Sequence, residues 1–230
     1  MILREPMKFI FTCIFLFFSV WSLFAQQQAQ GWLVYFGNTA IKSSKFSIHH
    51  ELQLRDYQLG GDHNQTLLRV GLEYAVKPFL TVTGGYGFIY TEAENTPNNP
   101  FLEHRIYQEA TLKHTVDRFF IRHRFRLEER FIEDRTFRGR GRYSLFMDVP
   151  LTKRDLGKGA VYAAVYDEVF LNISKDDNLD VFDRNRLYGG IGYKVAANLG
   201  IQLGYMRQNV EKKRATNHVL LSLHHRMKWQ

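Results

Sequence analysis

The amino-acid sequence predicts an all-β chain that forms an antiparallel up-and-down transmembrane β-barrel of about ten strands, with twelve as the alternative, around a charged lumen. Between Arg122 and Arg130 every second side chain is charged, and the apolar residues Ile121, Phe125, Leu127 and Phe131 occupy positions of the opposite parity. A β-strand sends alternate side chains to opposite faces, so this run has one charged face and one mostly apolar face. Similar runs of about 10–14 residues recur, whereas strands of soluble domains usually have about 5–6 residues.

Ten such segments follow one another from residue 45, each ended by turn or loop residues. The predicted strands are 45–57, 65–76, 80–92, 102–114, 119–132, 139–149, 159–173, 182–195, 199–208 and 216–230. In each strand, two residues of like character show the alternation by sharing one face, which is the apolar face in some strands and the polar face in others. In strand order these pairs are Phe46 and Leu52; Leu68 and Leu72; Val82 and Phe88; Glu103 and Arg105; Arg124 and Glu128; Leu145 and Met147; Glu168 and Asn172; Leu187 and Ile191; Ile201 and Leu203; Leu221 and Met227.

The start of the chain has the pattern of a secretory signal peptide. Lys8 precedes an apolar run of about 16 residues, which is shorter than the roughly 20 of a membrane-spanning helix, and Ala25 ends it before a polar stretch. We therefore expect residues 1–25 to be a signal peptide, 26–44 an N-terminal segment and 45–230 the barrel domain. Residues 31–38 alternate weakly and leave three alternatives open: an eleventh segment beside the barrel, an internal plug, or half of a hairpin that makes twelve strands.

Composition excludes several classes of function. The single cysteine, Cys13, lies within the predicted signal peptide, so we expect no disulfide, thiolate metal site or cysteine catalysis in the exported protein. The formal net charge is +8, but the arginines alternate along strands and do not cluster on a helix or tail, so we expect no nucleic-acid partner. The sequence predicts no cofactor and no metal.

The longer predicted connections, near residues 58–64, 93–101, 132–138, 174–181 and 209–215, fall on one side, and 150–158 is the exception on the other. We expect the longer loops outside the cell and both ends of the ten-strand set in the periplasm. Outer-membrane lipid and, through the C-terminal strand, the barrel-assembly machinery are then the expected partners. The predicted membrane-interface aromatics are Phe46, Tyr74, Phe119, Tyr193 and Trp229 at the lower boundary and Tyr90, Phe131, Tyr143 and Tyr205 at the upper one.

Several short motifs together resemble one known family. They include ELQLR at Glu51–Arg55, RHRFRLEERF at Arg122–Phe131, YDEVFLN at Tyr166–Asn172 and FDRNRLY at Phe182–Tyr188. In combination they are similar to the uncharacterised outer-membrane β-barrel family catalogued as domain-of-unknown-function family 2490, over nearly all of the chain after the signal peptide. The resemblance implies a barrel in the outer membrane of a Gram-negative cell, and it implies no activity, ligand or catalytic residue.

The charged face defines the candidate site, in which cations outnumber anions about two to one. We interpret it as a salt-bridge ladder that fixes strand register, in a small barrel with a structural or surface-interaction role. The alternatives are a porin-like, narrow anion-selective pore or transporter for small anionic solutes, and loops that bind surface polysaccharide. The predicted lumen residues are Glu51, Arg55, Arg69, Glu103, Arg105, Arg122, Arg124, Arg126, Glu128, Arg130, Arg140, Arg142, Glu168, Arg184 and Arg186.

A third alternative is an outer-membrane hydrolase acting on lipid or peptide. The sequence has no G-x-S-x-G elbow and no H-x-x-x-H metal spacing on a helix, so we assign no catalytic residue. A triad could still converge from different strands. The candidates are His49, His104, His123 and His224, with Ser47, Ser144, Ser174 and Ser222 as nucleophiles.

Two further alternatives concern the fold and one loop. A soluble periplasmic barrel or sandwich would show the same alternation with the apolar face inward and the charged face in water. Asp176, Asp177 and Asp180 suggest a calcium loop, but their spacing departs from D-x-[DN]-x-[DN]-G, and a solvated acidic loop fits better.

Overall fold

Eleven β-strands close into one barrel in the computed structural model, which describes residues 29–94, 96–174, 180–212 and 215–229. The all-β barrel predicted from the sequence is therefore confirmed, while the predicted signal peptide lies outside the described residues. The strands are β1 (Gln30–Ile41), β2 (Phe46–Gln58), β3 (Gly61–Lys77), β4 (Leu80–Thr91), β5 (Phe101–Val116), β6 (Phe119–Ile132), β7 (Arg138–Pro150), β8 (Val161–Asn172), β9 (Phe182–Ala196), β10 (Leu199–Val210) and β11 (Thr216–Trp229).

The first strand closes the barrel and corrects the predicted strand count. β1 pairs in parallel with β11, from Gln30 beside His218 to Ile41 beside Trp229, and antiparallel with β2. Every other neighbouring pair is antiparallel. When strands alternate in direction around a closed wall, an odd number leaves one parallel pair. The predicted antiparallel barrel of about ten strands is thus confirmed with eleven strands and one parallel pair, and residues 31–38 are neither an internal plug nor half of a hairpin that makes twelve.

The weak alternation of β1 explains why its sequence does not identify it as a wall strand. Trp32 and Val34 face the interior and are buried, whereas Leu33 between them points outward and is 53% exposed. Both faces of this strand are apolar, so its sequence lacks the change in polarity that marks a wall strand. Only its pairing with β2 and β11 shows that it completes the wall.

The two ends of the barrel differ in their connections. At one end, called the turn end, residues 78–79, 117–118 and 197–198 form two-residue turns, and residues 42–45 and 151–160 form the other connections. The opposite end, called the loop end, carries the connections from β4 to β5, β6 to β7, β8 to β9 and β10 to β11. The β2–β3 connection at the loop end is shorter than predicted, because pairing continues from Gln58 to Gly61 and leaves only Leu59 and Gly60, which has a φ of 76°.

The barrel has a charged inside and an apolar outside. On β6, Glu128 is 1% exposed, while its neighbour Leu127, on the other face, is 53% exposed. Large apolar side chains are exposed around the outer wall, Leu68 on β3 and Leu203 on β10 among them. The alternative that places the apolar face of the strands inward and the charged face outward is therefore wrong. Within the described residues, no helix is long and apolar enough to cross a membrane.

One half of the lumen is filled by apolar and aromatic side chains. Its buried cluster lies on β1 and β8–β11, and Leu156 of the 151–160 connection packs against it at the turn end. Inward glycines make room for aromatic rings. A Cβ at Gly204 would overlap the Tyr188 ring, and one at Gly192 would overlap the Tyr162 ring. The buried members of the cluster are Trp32, Val34, Tyr162, Ala164, Tyr188, Met206 and Leu220.

Candidate functional site

The candidate site is the charged part of the lumen, and every predicted lumen residue lies there. Strand alternation carries their side chains to one face, and closure of the sheet turns that face inward. All of them are buried or only partly exposed. These residues are Glu51, Arg55, Arg69, Glu103, Arg105, Arg122, Arg124, Arg126, Glu128, Arg130, Arg140, Arg142, Glu168, Arg184 and Arg186.

Two glutamates organise the centre of this site. Glu128 accepts hydrogen bonds from Nη2 of Arg140 and Nη1 of Arg142, both at 2.5 Å. Glu168 accepts from Nη2 of Arg142 at 2.6 Å and from Nη2 of Arg124 at 2.7 Å. Arg142 thus links the two carboxylates across β6, β7 and β8. Each acid lies between at least two guanidinium groups, which keeps a buried carboxylate satisfied.

Further pairs extend the network around the wall. Glu51 pairs with Arg69 between β2 and β3 at 2.5 Å, and Glu109 pairs with Arg126 between β5 and β6 at 2.5 Å. Near the loop end, Glu103 accepts from Nε of both Arg105 and Arg130, at 2.5 and 2.6 Å. Together with the central pairs and Asp183, these residues form the lumen network. Its cross-strand pairs join β2 to β3 and each neighbouring pair of strands from β5 to β9, and so hold the register of those strands.

The sequence did not reveal Asp183 as a member of this network. Strict alternation from Arg184 places Asp183 on the outer face. The register of β8 and β9 shifts between Phe170 and Leu171, so β9 has one extra residue there. Asp183 Oδ2 therefore lies 3.2 Å from Nη1 of Arg140 and 3.1 Å from Nε of Arg184. A bulge of this kind leaves no mark in the pattern of charges.

Aromatic rings separate the guanidinium groups of the network. The Phe170 ring has the guanidinium carbons of four arginines within 5.8 Å, the closest being Arg142 at 4.4 Å. Trp32 lies between Arg55, at 3.9 Å, and Arg186, at 5.0 Å. Such contacts stabilise cations that have few carboxylate partners. The sequence signal for Phe170 is its position two residues from Glu168, which puts both on one face, whereas Trp32 lies on β1, whose sequence does not identify it as a wall strand.

The lumen therefore differs from a simple salt-bridge ladder. The ion-paired half lies on β2, β3 and β5–β9 and the apolar half on β1 and β8–β11. A cavity of about 1580 Å³ reaches residues at both ends of the barrel. At mid-height Tyr107, Arg126, Glu128, Ser144 and Tyr188 are almost fully buried, so side chains crowd the middle of the barrel.

The predicted histidine and serine candidates are dispersed, except that His224 and Ser222 lie together. His49 contacts Glu51 at 3.3 Å, and His123, on the outer wall, contacts the Tyr143 hydroxyl at 2.9 Å. His224 contacts Ser222 Oγ at 3.3 Å inside the lumen. The hydroxyls of Ser47 and Ser144 donate to Glu73 and Glu168, each at 2.8 Å, and His104, on the outer wall, bonds to Tyr86. Ser174 Oγ has no hydrogen-bond partner within the described part of the chain.

An acid–histidine–hydroxyl chain does occur, at a place the sequence did not indicate. At the loop end of β2 and β3, His63 Nδ1 lies 3.3 Å from Asp56 Oδ1, and its Nε2 lies 3.0 Å from Thr66 Oγ1. Thr66 is paired with Leu54 on one side and Tyr90 on the other, so its backbone N–H belongs to the ladder. An acyl-transfer site also needs free donors for an oxyanion. We therefore interpret this chain as a polar cluster at the rim.

The remaining predicted sites concern a metal and the membrane interface. Within the described residues no group of three His, Cys, Asp or Glu side chains could hold a metal ion. Asp176 and Asp177 lie outside those residues, while Asp180 pairs with Lys212.

The predicted interface aromatics lie at different heights on the wall. Tyr143 and Tyr205 are near the middle of β7 and β10, and the others lie near strand ends. These others are Phe46, Tyr74, Phe119, Tyr193 and Trp229 towards the turn end and Tyr90 and Phe131 towards the loop end.

Comparison with known proteins gives one match. The sequence model of a family described as "Protein of unknown function (DUF2490)" matches residues 29–219, which confirms the resemblance found in the motifs. No curated protein and no solved structure matches the chain.

Proposed function

Because this chain belongs to the DUF2490 family, whose description states no function, we propose its role from the barrel itself: an outer-membrane barrel with a side-chain-filled lumen and a structural or surface-interaction role. The observation that carries the proposal is the inverted polarity of the wall. Leu127 and Leu203 are more than half exposed on the outside, while Glu128 and Arg126 are buried inside. An apolar surface around a whole barrel fits lipid, because soluble monomers rarely expose large apolar patches.

Closed hydrogen bonding also supports a membrane location. Hydrocarbon offers no partner for backbone groups, so only helices and closed barrels span a bilayer. The pairing of β1 with β11 leaves no free edge strand in this sheet. We propose that the turn end faces the periplasm and the loop end faces outward, since bacterial barrels have short periplasmic turns. Outer-membrane lipid would then contact the apolar wall, and the barrel-assembly machinery would engage β11.

The crowded middle of the barrel favours a filled lumen over an open pore. The test is conductance of the purified protein in a planar bilayer, after a folded-versus-boiled gel shift has established that the barrel is intact. We expect a folded protein that produces no steady current steps. Large, regular steps would contradict the filled lumen. Recovery of the protein in the inner-membrane or soluble fraction of the cell would contradict the outer-membrane location.

A second candidate, a narrow anion-selective pathway, is favoured by the surplus of cations. Arg124 and Arg126, at mid-height, pair with Glu168 and Glu109 through Nη2, but Nε of Arg124 and Nη1 of Arg126 have no hydrogen-bond partner among the described residues. Rings of such cations select anions in pores. If small current steps occur, a salt gradient gives their selectivity. The double change Arg124→Gln and Arg126→Gln should then abolish or reverse anion preference, and an unchanged reversal potential would exclude this pathway.

A further inference from the structure

The turn end of the lumen carries a second group of cations, which lies apart from the lumen network. Lys113 on β5, Arg122 on β6, Lys194 on β9 and Arg226 on β11 line the cavity there. Lys113 and Arg226 are exposed, Lys194 is partly exposed, and the Arg122 side chain is 43% exposed. These four residues are called the basic vestibule. Unlike the arginines at mid-height, they are accessible from the mouth of the barrel.

The charges of the basic vestibule are poorly neutralised by the protein. Lys113 and Arg122 stand directly opposite each other on neighbouring strands, and like charges in that position repel. Arg122 has one carboxylate partner, Asp148, at 3.3 Å. Among the described residues, no carboxylate lies within ion-pair distance of Lys113, Lys194 or Arg226.

The other carboxylate of this region is bound to neutral donors. Glu73 Oε2 accepts from Asn38 Nδ2 at 2.7 Å and from Ser47 Oγ at 2.8 Å. Both of these donors are uncharged, and they hold the Glu73 carboxylate at the wall. Neither hydrogen bond is to a lysine. The vestibule therefore keeps a net positive charge.

The cations converge although they come from distant strands. Gly200 on β10 pairs with Lys194 on one side and His224 on the other. A Cβ at Gly200 would lie 3.6 Å from Lys194 Nζ, so the lysine lies across the glycine. Arg122, Lys194 and Arg226 line the same cavity as His224. Side chains of β6, β9 and β11 thus face one space.

We propose that the basic vestibule is a binding site for a phosphate group. A tetrahedral dianion accepts hydrogen bonds in several directions, which suits lysine ammonium groups and an arginine fork on opposite walls. The vestibule is the turn-end part of the lumen cavity, and side chains that are almost fully buried at mid-height, Arg126 and Glu128 among them, lie farther in. The site is therefore reached from the turn-end mouth of the barrel. Its ligand is inorganic phosphate or the phosphate of a lipid headgroup, and the proposal stands whether or not the barrel is in the outer membrane.

The test is isothermal titration of the purified protein with inorganic phosphate, in a non-ionic detergent and at low ionic strength. The variants are Lys113→Gln, Lys194→Gln and the double variant. Lys45→Gln is the matched control, because this exposed lysine is at the turn end but does not line the cavity. We expect each single change to weaken binding by about tenfold, as loss of one charge-assisted hydrogen bond does, and the control to bind like the wild type.

The folded-versus-boiled gel shift keeps failure of folding apart from failure of binding. Absence of wild-type phosphate binding at millimolar concentration would overturn the proposal. Equal affinity of the double variant and Lys45→Gln would overturn it as well. A parallel titration with a short-chain phosphatidic acid identifies the source. Binding tighter than that of inorganic phosphate supports a lipid headgroup, and equal or weaker binding supports free phosphate.

Discussion

Replacing Glu128 by Gln tests whether the lumen network stabilises the barrel. The carboxylate accepts charge-assisted hydrogen bonds from Nε and Nη2 of Arg140, at 2.9 and 2.5 Å, and from Nη1 of Arg142, at 2.5 Å. Removing one member of a buried ion pair costs about 3–5 kcal/mol, because the remaining charge stays buried. Arg140 would keep Asp183, at 3.2 Å, and Arg142 would keep Glu168, at 2.6 Å. We therefore expect the lower end, a loss of about 3 kcal/mol in the free energy of unfolding.

Urea unfolding of the folded protein in detergent or lipid vesicles measures this loss. The buried Trp32 provides a fluorescence signal inside the lumen. With a slope of about 1–3 kcal/mol per molar urea, the midpoint should fall by about 1–3 M. Glu129→Gln is the control, because this carboxylate is next in sequence but on the outer face, and it should cause no loss. Equal midpoints for Glu128→Gln and the wild type would refute the reasoning that these ion pairs hold the wall.

Two more predictions concern packing and orientation. Gly204→Ala places a Cβ against the Tyr188 ring and should cost about 1–3 kcal/mol in unfolding free energy, whereas Gly189→Ala meets open space and should change it by no more than about 0.5 kcal/mol. Equal effects of the two changes in urea unfolding would contradict the packing of the apolar half. Cysteine at Glu94, in a loop-end connection, should react with a membrane-impermeant maleimide on intact cells. Cysteine at Arg154, in a turn-end connection, should react only after the outer membrane is permeabilised, and the reverse pattern would invert the proposed orientation.

The strand positions could be predicted because a wall strand with one charged and one apolar face imposes a period of two on its sequence. The run from Arg122 to Arg130 is the clearest case, and its charged face lines the lumen as expected. β1 could not be assigned in the same way, since Trp32 and Val34 face an apolar half of the lumen. Its parallel pairing with β11 depends on where two ends of the sheet meet, which no local pattern encodes.

The site was predicted as a set of residues but not as an arrangement. Alternation identified the inward charges, yet the pairing of Glu128 with Arg140 and Arg142 depends on the register of neighbouring strands. Asp183 was missed because a bulge reverses its face. The apolar half of the lumen was not predicted, because an aromatic residue such as Tyr188 fits either face of a membrane barrel. The Tyr188 ring faces inward, where the glycines beneath it leave room for it.

By itself, the sequence determined that the chain forms long strands, each with one polar face, rich in arginine on several strands, and one mostly apolar face. That property is local, because the geometry of a strand fixes the direction of each side chain relative to the next. Only the tertiary structure decided the odd strand count, the division of the lumen into charged and apolar halves, and the separation of the basic vestibule from the lumen network. These features depend on closure and register, which bring together side chains more than 100 residues apart, such as Lys113 and Arg226.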